Sequence, residues 1–346
     1  MNKTVRDSNM ELYRIVCMFL VMLFHVCGVV DVTNNEVLPS CPPSRMLLTQ
    51  LATSATFVCV DVFILLSGWY GIRTRTEKVA AFVYQVLFLS ILSYIVFIAC
   101  YDDVTFSWSF LAHVFLMDDY WFVSTYLLLY LVAPMLNSFI RDSSHRQFRF
   151  ILIAAILFQC VYGWLSPREA GFLEGRSPFS FLLLYMLAGY VRRFPVRLKQ
   201  LPKNRLLTLY LLTVAVNGLL AFAARYTGHV QLVNIIYRFS SPLIIFASLC
   251  LLLYFSKLSI SHQPLINRVA ASSFAAFLVH CFPMFTLKVF WPVVQKIYLS
   301  LPAAVFAVAA LLFVVLVYVA SILIDQVRIA TYGLLRRLFV KQLPVK

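Results

Sequence analysis

Two ionisable residues, Arg14 and His25, lie eleven positions apart in the first apolar stretch of the chain. An α-helix turns by about 100° and rises about 1.5 Å per residue, so both side chains would share one helix face, about 16 Å apart along the axis. Glu11 would lie on the same face and pair with Arg14. Because an ionisable side chain at the centre of a membrane costs about 3 kcal/mol, a chain that carries these residues there is expected to use them.

Further polar residues interrupt other apolar stretches. Asp61 lies in the second stretch, which ends with Ser67 and Gly68, and His280 lies in the ninth. Together with Arg14 and His25 they predict a polar cavity across the membrane. Histidine suits proton transfer near neutral pH, so we expect chemistry rather than only packing in this cavity.

The composition identifies a membrane protein. Hydrophobic residues make up 62% of the 346 residues and charged residues only 12%, whereas soluble domains carry about 25% charged residues. The net charge of +15 would suit a nucleic-acid partner, but the charges lie in short loops between apolar runs, as membrane-flanking charges do. We therefore predict an all-α polytopic integral membrane protein that contacts membrane lipid and binds no nucleic acid.

About ten apolar runs are near the length that crosses about 30 Å of hydrocarbon. They lie at about 10–30, 47–69, 79–101, 120–140, 149–165, 179–191, 206–226, 234–255, 270–291 and 302–324. The run at 179–191 is short for a span. Because the loops between the runs are short, we predict one transmembrane domain over residues 1–346, with no appended soluble domain.

The basic residues predict the orientation of the helices. With a cytoplasmic N-terminus, most of the 29 lysines and arginines fall in inner loops and termini, among them Arg73, Arg75 and Arg328. Outer loops carry most of the acids, such as Asp31, and few basic residues, such as Arg225. Both termini should therefore be cytoplasmic in a multi-pass protein of a cell membrane, and we expect a bacterial inner membrane.

Two groups of charged loop residues have more than one interpretation. Arg73 and Arg75 could be ordinary flanking charge or a site for phosphates that enter from the cytoplasm. The outer pairs could bind a divalent cation, but such pairs are more often solvated loop charges, and we predict no metal. These outer pairs are Asp102-Asp103 and Asp118-Asp119.

Four segments, in order, resemble the motifs of one enzyme family. They are NMELYRIVCMFLVMLFH at 9–25, VDVFILLSGWYGIR at 60–73, DYWFVSTYLLLYLVAPML at 119–136 and SSFAAFLVHCFPMF at 272–285. The first holds a basic residue, ten intervening positions and a histidine, and the second closes in Ser-Gly. The third is a Trp-led helix ending in Pro, and the fourth has an apolar run before a histidine. The chain thus resembles the membrane-bound acyltransferase-3 family, whose members acylate carbohydrates.

The resemblance implies ten helices with cytoplasmic ends and an O-acyltransferase activity. The simplest reaction moves acetyl from acetyl-CoA, or another acyl group from its acyl-CoA, to a hydroxyl of a cell-envelope or exported carbohydrate or a lipid-linked sugar. His25 would act as general base on this hydroxyl, or would be transiently acylated. His280 would hydrogen-bond the thioester oxygen or orient His25.

The resemblance also implies a donor site. Arg14, with Arg73 and Arg75, would attract the phosphates of CoA at the inner face. Glu11 would hold Arg14 in place, and Asp61 would add polarity at the same depth. The oligomeric state and the identity of the acceptor are not predicted.

Two other classes of protein remain open on the sequence. A secondary transporter also places ionisable groups at the membrane midplane, but it usually has inverted repeats and helices broken at glycine or proline. The chain has only 10 glycines and no visible repeat, which disfavours this class. A polytopic glycosyltransferase would use the outer acid pairs with a metal, but it would need larger outer loops than this chain has.

Overall fold

The computed structural model describes residues 7–37, 41–117, 119–166 and 171–340, and no residue in these ranges forms a β-strand. The α-helices are α1 (Ser8–Val32), α2 (Pro43–Thr56), α3 (Cys59–Tyr70), α4 (Thr76–Cys100), α5 (Trp108–Leu116), α6 (Trp121–Asp142), α7 (His145–Phe158), α8 (Pro178–Arg193), α9 (Arg197–Gln200), α10 (Lys203–Tyr226), α11 (Val230–Ile236), α12 (Pro242–Ser256), α13 (Pro264–His280), α14 (Pro283–Phe285), α15 (Trp291–Ser300) and α16 (Ala303–Val340). Short π-helical turns extend three of these elements, at Thr33–Val37, Gln159–Leu165 and Thr286–Phe290.

The predicted all-α polytopic membrane architecture is confirmed. Within the described ranges, seven helical stretches are long and apolar enough to cross a membrane, or eight if one bent pair counts as a span. The predicted runs at 179–191 and 234–255 correspond to the shorter helices α8 and α12, of 16 and 15 residues. At about 1.5 Å per residue these extend about 24 Å and about 22 Å, less than the usual hydrocarbon thickness.

Two predicted runs are broken rather than continuous. The run at 47–69 forms α2 and α3, which are separated at Phe57 and Val58. The run at 270–291 bends by 68° between α13 and the helices that begin at Pro283. Proline lacks an N–H and disfavours helical geometry in the residue before it, so Phe282 is extended, with φ −61° and ψ 126°. His280 is therefore the last residue of α13 and lies at the break in the predicted run.

The last helix is longer than predicted. The apolar run was expected to end at 324 with Arg328 in the cytoplasmic tail, but α16 continues to Val340. Asp325 is completely buried and Arg328 is 8% exposed. The Arg328 guanidinium donates to both Asp325 oxygens at 2.8 and 2.9 Å, and Gln85 donates to one of them at 3.0 Å. Because each charge has a partner, the helix carries both into the protein interior.

The chain divides into two compact units. The first comprises Met1–Arg73 and Phe122–Asn267, and the second comprises Thr74–Trp121 and Arg268–Lys346. The first unit contains α1 to α3 and most of the chain from α6 to α12. The second contains α4, α5, most of α13, and α14 to α16. The single domain over residues 1–346 remains a prediction.

Glycines allow close helix packing in the first unit. A Cβ on Gly68 of α3 would lie 2.8 Å from the Cα of Tyr185 in α8, too close for any side chain. A Cβ on Gly218 of α10 would lie 2.8 Å from a methyl group of Leu51 in α2. Small residues bring helix backbones together in membranes, where dispersion replaces the hydrophobic effect as the packing force. The Ser-Gly ending of the second motif is thus a helix-packing contact.

In the second unit, side-chain hydroxyls join neighbouring elements. The Tyr94 hydroxyl in α4 accepts from the backbone N–H of Ser107 at 2.7 Å, and its ring lies 4.5 Å from that of Phe110 in α5. The hydroxyls of Ser273 in α13 and Tyr318 in α16 are 2.8 Å apart. These contacts pair buried polar groups, which lipid would leave without partners.

Candidate functional site

Helix α1 carries the predicted pair on one continuous element. It runs from Ser8 to Val32 without a break, so Arg14 and His25 share a rigid helix. The Arg14 guanidinium donates to a Glu11 carboxylate oxygen at 3.0 Å. The Glu11 side chain is only 10% exposed and that of Arg14 is 34% exposed. The predicted ion pair is therefore present, and it holds a partly accessible guanidinium in one orientation.

The serine of the Ser-Gly motif joins α3 to α6. The Ser67 hydroxyl donates to the Phe63 carbonyl at 2.9 Å and lies 3.1 Å from the Tyr126 hydroxyl. A serine has one proton to donate, so Tyr126 must donate to Ser67. Arg14 interacts electrostatically with Tyr126. The motif serine, this tyrosine and the α1 arginine therefore belong to one polar region of the first unit.

The ring of His25 has a defined tautomer. Its Nδ1 lies 2.9 Å from the Val21 carbonyl oxygen, four residues earlier on α1. A carbonyl only accepts, so Nδ1 carries the proton, and the lone pair of the neutral ring is on Nε2. The Phe24 ring packs edge-on at 5.4 Å between centroids. The contact with the Val21 carbonyl fixes the orientation of the ring on α1.

His280 has a similar arrangement in the second unit. It is 1% exposed, and its Nδ1 lies 2.5 Å from the Ala276 carbonyl oxygen, again four residues earlier. Its Nε2 lies 3.4 Å from the Cys281 sulfur, and the backbone carbonyl of His280 accepts from the Thr286 hydroxyl at 2.7 Å. The backbone thus selects the same tautomer in both histidines. The predicted role of His280 remains a prediction.

Asp61 is the most unusual polar residue of the first unit. It is completely buried in the first turn of α3, where helix N-terminal amides favour negative charge. Neither carboxyl oxygen has a hydrogen-bond partner among the described residues. A buried polar group without a partner costs several kcal/mol in hydrocarbon, so its presence is typical of a functional or hydrated position.

Arg73 and Arg75 lie in the non-helical stretch 71–75 between α3 and α4. Both are exposed, and the backbone carbonyl of Arg73 accepts from the Tyr130 hydroxyl at 3.2 Å. Two exposed guanidinium groups at a helix–helix connection suit the recognition of a soluble anion. Their predicted role in phosphate binding is not tested by this geometry.

The outer charges of the first unit meet around a cavity. Its volume is about 280 Å³, and its polar lining includes Asp31, Gln50 and Arg225. Arg225 donates to Asp31 at 2.8 Å, although 194 positions separate them in the chain. Asp31 and Arg225 were both predicted to be outer residues, and their contact agrees with the predicted alternation of the helices. The outer pair Asp102-Asp103 belongs to the second unit, and Asp118 lies outside the described residues.

The family model for an acyltransferase domain, that of the acyltransferase-3 family, matches residues 7–324. The chain belongs to this family. It is an acyltransferase enzyme embedded in a membrane, and the match extends through both compact units. No curated protein and no solved structure matches the sequence. Membership implies an acyl donor, and the predicted catalytic and donor-binding residues of this acyltransferase remain predictions.

Sequence reasoning missed a polar triangle that holds the stretch before Arg73. The Ile72 N–H donates to the Tyr185 hydroxyl at 2.7 Å, and Tyr185 donates to the Asn137 side-chain oxygen at 2.7 Å. The Asn137 amide donates back to the Ile72 carbonyl at 2.8 Å. The acyltransferase thus fixes the backbone beside its exposed arginine. An asparagine inside the otherwise apolar α6 was the available signal.

Arg192 of the acyltransferase also has a specific partner. Its guanidinium donates to the Trp69 carbonyl at the end of α3 and lies 5.4 Å from the Tyr70 ring centroid. Carbonyls at a helix C-terminus lack helical partners and carry partial negative charge. An arginine there donates hydrogen bonds to these carbonyls and also balances their charge. Arg192 stabilises the cytoplasmic end of α3 that the orientation predicts.

Proposed function

We propose that this acyltransferase moves an acetyl group from acetyl-CoA to a hydroxyl of a cell-envelope or exported carbohydrate, in a cell membrane such as the bacterial inner membrane. The observation that supports it most is the bond between His25 Nδ1 and the Val21 carbonyl. This bond puts the ring's lone pair on Nε2, so His25 can accept a proton or attack a carbonyl carbon. Arg14, on the same helix, supplies the positive charge that an anionic donor needs.

In the direct route, the acceptor hydroxyl oxygen attacks the thioester carbonyl carbon while Nε2 of His25 takes the hydroxyl proton. The carbon–sulfur bond then breaks, and the CoA thiolate takes the proton back from the imidazolium. In the alternative route, Nε2 itself attacks the carbonyl carbon, the carbon–sulfur bond breaks and CoA leaves as the thiolate. The acceptor hydroxyl oxygen then attacks the acetyl carbon, the bond from Nε2 to that carbon breaks, and the hydroxyl proton passes to the thiolate. Both routes use the same lone pair and leave the enzyme unchanged.

The proposed donor site takes its positive charges from the side of the membrane that the orientation predicts to be cytoplasmic. Acetyl-CoA carries phosphates, and arginine guanidinium groups bind phosphate through paired charge-assisted hydrogen bonds. Arg14, held by Glu11, would contribute from α1. Arg73 and Arg75 are exposed in the stretch that follows α3 and would meet the donor from the cytoplasm.

For His280 we propose that the reaction needs its imidazole. Its burial and its fixed tautomer support a hydrogen-bonding role. Burial of polar ring nitrogens costs free energy, so an apolar side chain would suit this position better if it served packing alone. Replacement by glutamine, which retains an amide N–H, should preserve more transfer than replacement by alanine. Equal loss in both variants would contradict a hydrogen-bonding role.

The first experiment measures label transferred from radiolabelled acetyl-CoA to extractable glycan or lipid. Membranes would contain wild type, His25→Ala or the matched control His262→Ala, which removes an exposed histidine of the first unit. We expect label with wild type and the control and none with His25→Ala, at equal amounts of inserted protein. Protein-bound label in a quenched reaction that is absent from His25→Ala would indicate the covalent route, and no such label would indicate the direct route.

A correctly inserted His25→Ala protein that labels glycan as the wild type does would refute the proposed role of His25. If wild type transfers no acetyl group, succinyl-CoA and longer acyl-CoA donors test whether the enzyme transfers a different acyl group. Absence of transfer from every donor would refute the proposed reaction.

A further inference from the structure

The outer cavity of the first unit follows one stripe of α1. Phe24, Cys27, Gly28 and Asp31 lie three or four residues apart and all line it. The opposite walls come from α2 and the adjoining Phe57, from α10 and α11, and from Tyr237 and Glu174. The cavity therefore begins on the helix that carries His25 and opens at the end that the orientation predicts to be extracytoplasmic.

Three buried polar atoms of residues that line this cavity lack a hydrogen-bond partner in the described part of the chain, one each on Gln50, Thr53 and Arg225. Asp31 accepts from the Arg225 guanidinium at 2.8 Å through one oxygen and from the Gln50 amide at 3.1 Å through the other. This leaves Gln50 Oε1 and Arg225 Nε, both buried and both without a hydrogen-bond partner in the described part of the chain. Gln50 itself is only 1% exposed. One atom is an acceptor and the other a donor, which is what a hydroxyl group can satisfy.

The charge and the shape of the walls favour an uncharged ring as the ligand. Asp31 neutralises Arg225. Glu174, which also lines the cavity, pairs with Arg176, so little positive charge remains to attract a phosphate. The rings of Phe57 and Tyr237 are stacked at 5.2 Å, and the Tyr237 hydroxyl donates to the Gln50 carbonyl at 2.6 Å. A sugar ring offers apolar C–H faces for such rings and hydroxyls for the buried polar atoms.

The cavity lies beside His25 along α1, since Phe24 and Gly28 both line it. Val32, which also lines the cavity, lies seven residues after His25 and so within about 20° of it around the helix axis. Asp31 lies about 9 Å from His25 along that axis and about 120° away around it, so Val32 and Gly28 are the wall residues nearest the His25 face. Between Asp31 and His25, a Cβ on Gly28 would meet no described atom within 4 Å. A ring bound near Asp31 can therefore extend a hydroxyl towards the level of His25.

We propose that this cavity binds one neutral sugar ring of the acceptor carbohydrate and presents one of its hydroxyls to His25. The inference rests on the proposed function, because it assigns the acceptor site of that reaction. A volume of about 280 Å³ lies just below the range of ~300 to 1,000 Å³ that holds drug-sized ligands, so it suits one ring with the rest of the glycan outside.

The test places a larger side chain into the open space at Gly28 and leaves the packing of α1 unchanged. Gly28→Leu places a side chain into open space on α1, and Gly28→Ala gives a smaller change. Gly333→Leu is the matched control, because Gly333 is also a helical glycine whose Cβ would meet no described atom within 4 Å. Gln50→Met removes the buried acceptor atom and should weaken binding by about fivefold, the effect of one neutral hydrogen bond.

The readout is the melting temperature of purified protein in lipid nanodiscs, with each of four neutral sugars: glucose, galactose, mannose and N-acetylglucosamine. Inorganic phosphate and glucose 1-phosphate serve as charged probes. We expect a saturable rise with at least one neutral sugar, at least a tenfold higher midpoint concentration with Gly28→Leu, and no change with Gly333→Leu. Gly28→Leu should weaken sugar binding more than Gly28→Ala does.

Three results would overturn the inference: no rise with any neutral sugar, an equal rise in wild type and Gly28→Leu, or a rise with the charged probes only. Sugar binding is read without acyl transfer, so this outcome is separate from the proposed function. If the sugar shift depends on Gly28 while no acyl-CoA is consumed, the sugar site stands and the proposed reaction fails. If acetyl transfer depends on His25 but not on Gly28, the reaction stands and this site fails.

Discussion

Removal of the Arg328 guanidinium should destabilise the second unit strongly. In Arg328→Met, Asp325 would remain completely buried and would lose the two hydrogen bonds of 2.8 and 2.9 Å, retaining only the one from Gln85. An uncompensated buried charge costs about 3 to 5 kcal/mol, whereas replacement of a whole buried pair by apolar residues is often neutral. We therefore expect Arg328→Met to lower the free energy of unfolding by about 3 kcal/mol or more. The double variant with Asp325→Leu should recover most of this loss.

The assay is reversible unfolding in mixed micelles of mild detergent and dodecyl sulfate, followed by tryptophan fluorescence. Its double-mutant cycle compares wild type, Arg328→Met, Asp325→Leu and the double variant, and the coupling free energy isolates the pair. Equal losses in the single and double variants would refute the reasoning, because the cost would then come from packing rather than from an unpaired charge. Gln85→Leu added to the double variant should leave the free energy of unfolding unchanged, since the Asp325 carboxylate that Gln85 contacts is then absent.

Three further predictions concern other parts of the protein. Arg14→Ala should abolish acyl transfer without loss of membrane insertion, and transfer at the wild-type rate with the same amount of inserted protein would contradict its donor role. Gly68→Ala should lower the free energy of unfolding by about 1 to 3 kcal/mol through overpacking against α8, whereas Gly333→Ala should raise or preserve it; equal unfolding midpoints would contradict the close packing. The Lys288 ammonium hydrogen-bonds Asp103 and lowers the pKa of that carboxyl below its ordinary value. The contact should therefore stabilise the protein above the ordinary aspartate pKa of about 3.9, and this stabilisation should be lost as the pH falls below it. Unfolding curves measured between pH 3 and pH 7 should show this pH dependence in wild type and not in Asp103→Asn.

Local spacing predicted much of the fold and of α1. Apolar runs of spanning length identified the helices, because hydrophobicity over about 20 residues is a property of one segment. The Glu11–Arg14 contact was likewise predictable, since residues three apart on a helix always lie close together. The shared helix of Arg14 and His25 follows from the same local geometry.

The missed features depend on partners that are distant in the chain. The last apolar run was predicted to end at 324 because Asp325 is charged. No local rule shows that Arg328 and Gln85 donate hydrogen bonds to the Asp325 carboxylate. The contact of Asp31 with Arg225 spans 194 positions, and only the fold brings them together. Breaks inside apolar runs were missed for a related reason, because average hydrophobicity does not register a proline such as Pro283.

The exposed arginines and the neutralised outer pair give the two proposed substrate sites different responses to ionic strength. Arg73 and Arg75 face solvent, and at 0.1 M salt the potential of such charges decays over about 10 Å. The KM for acetyl-CoA should therefore rise with added salt. Asp31 and Arg225 already pair within the cavity, so the KM for a neutral sugar acceptor should stay constant. A salt series on one membrane preparation would thus distinguish the cytoplasmic and the outer steps of the reaction.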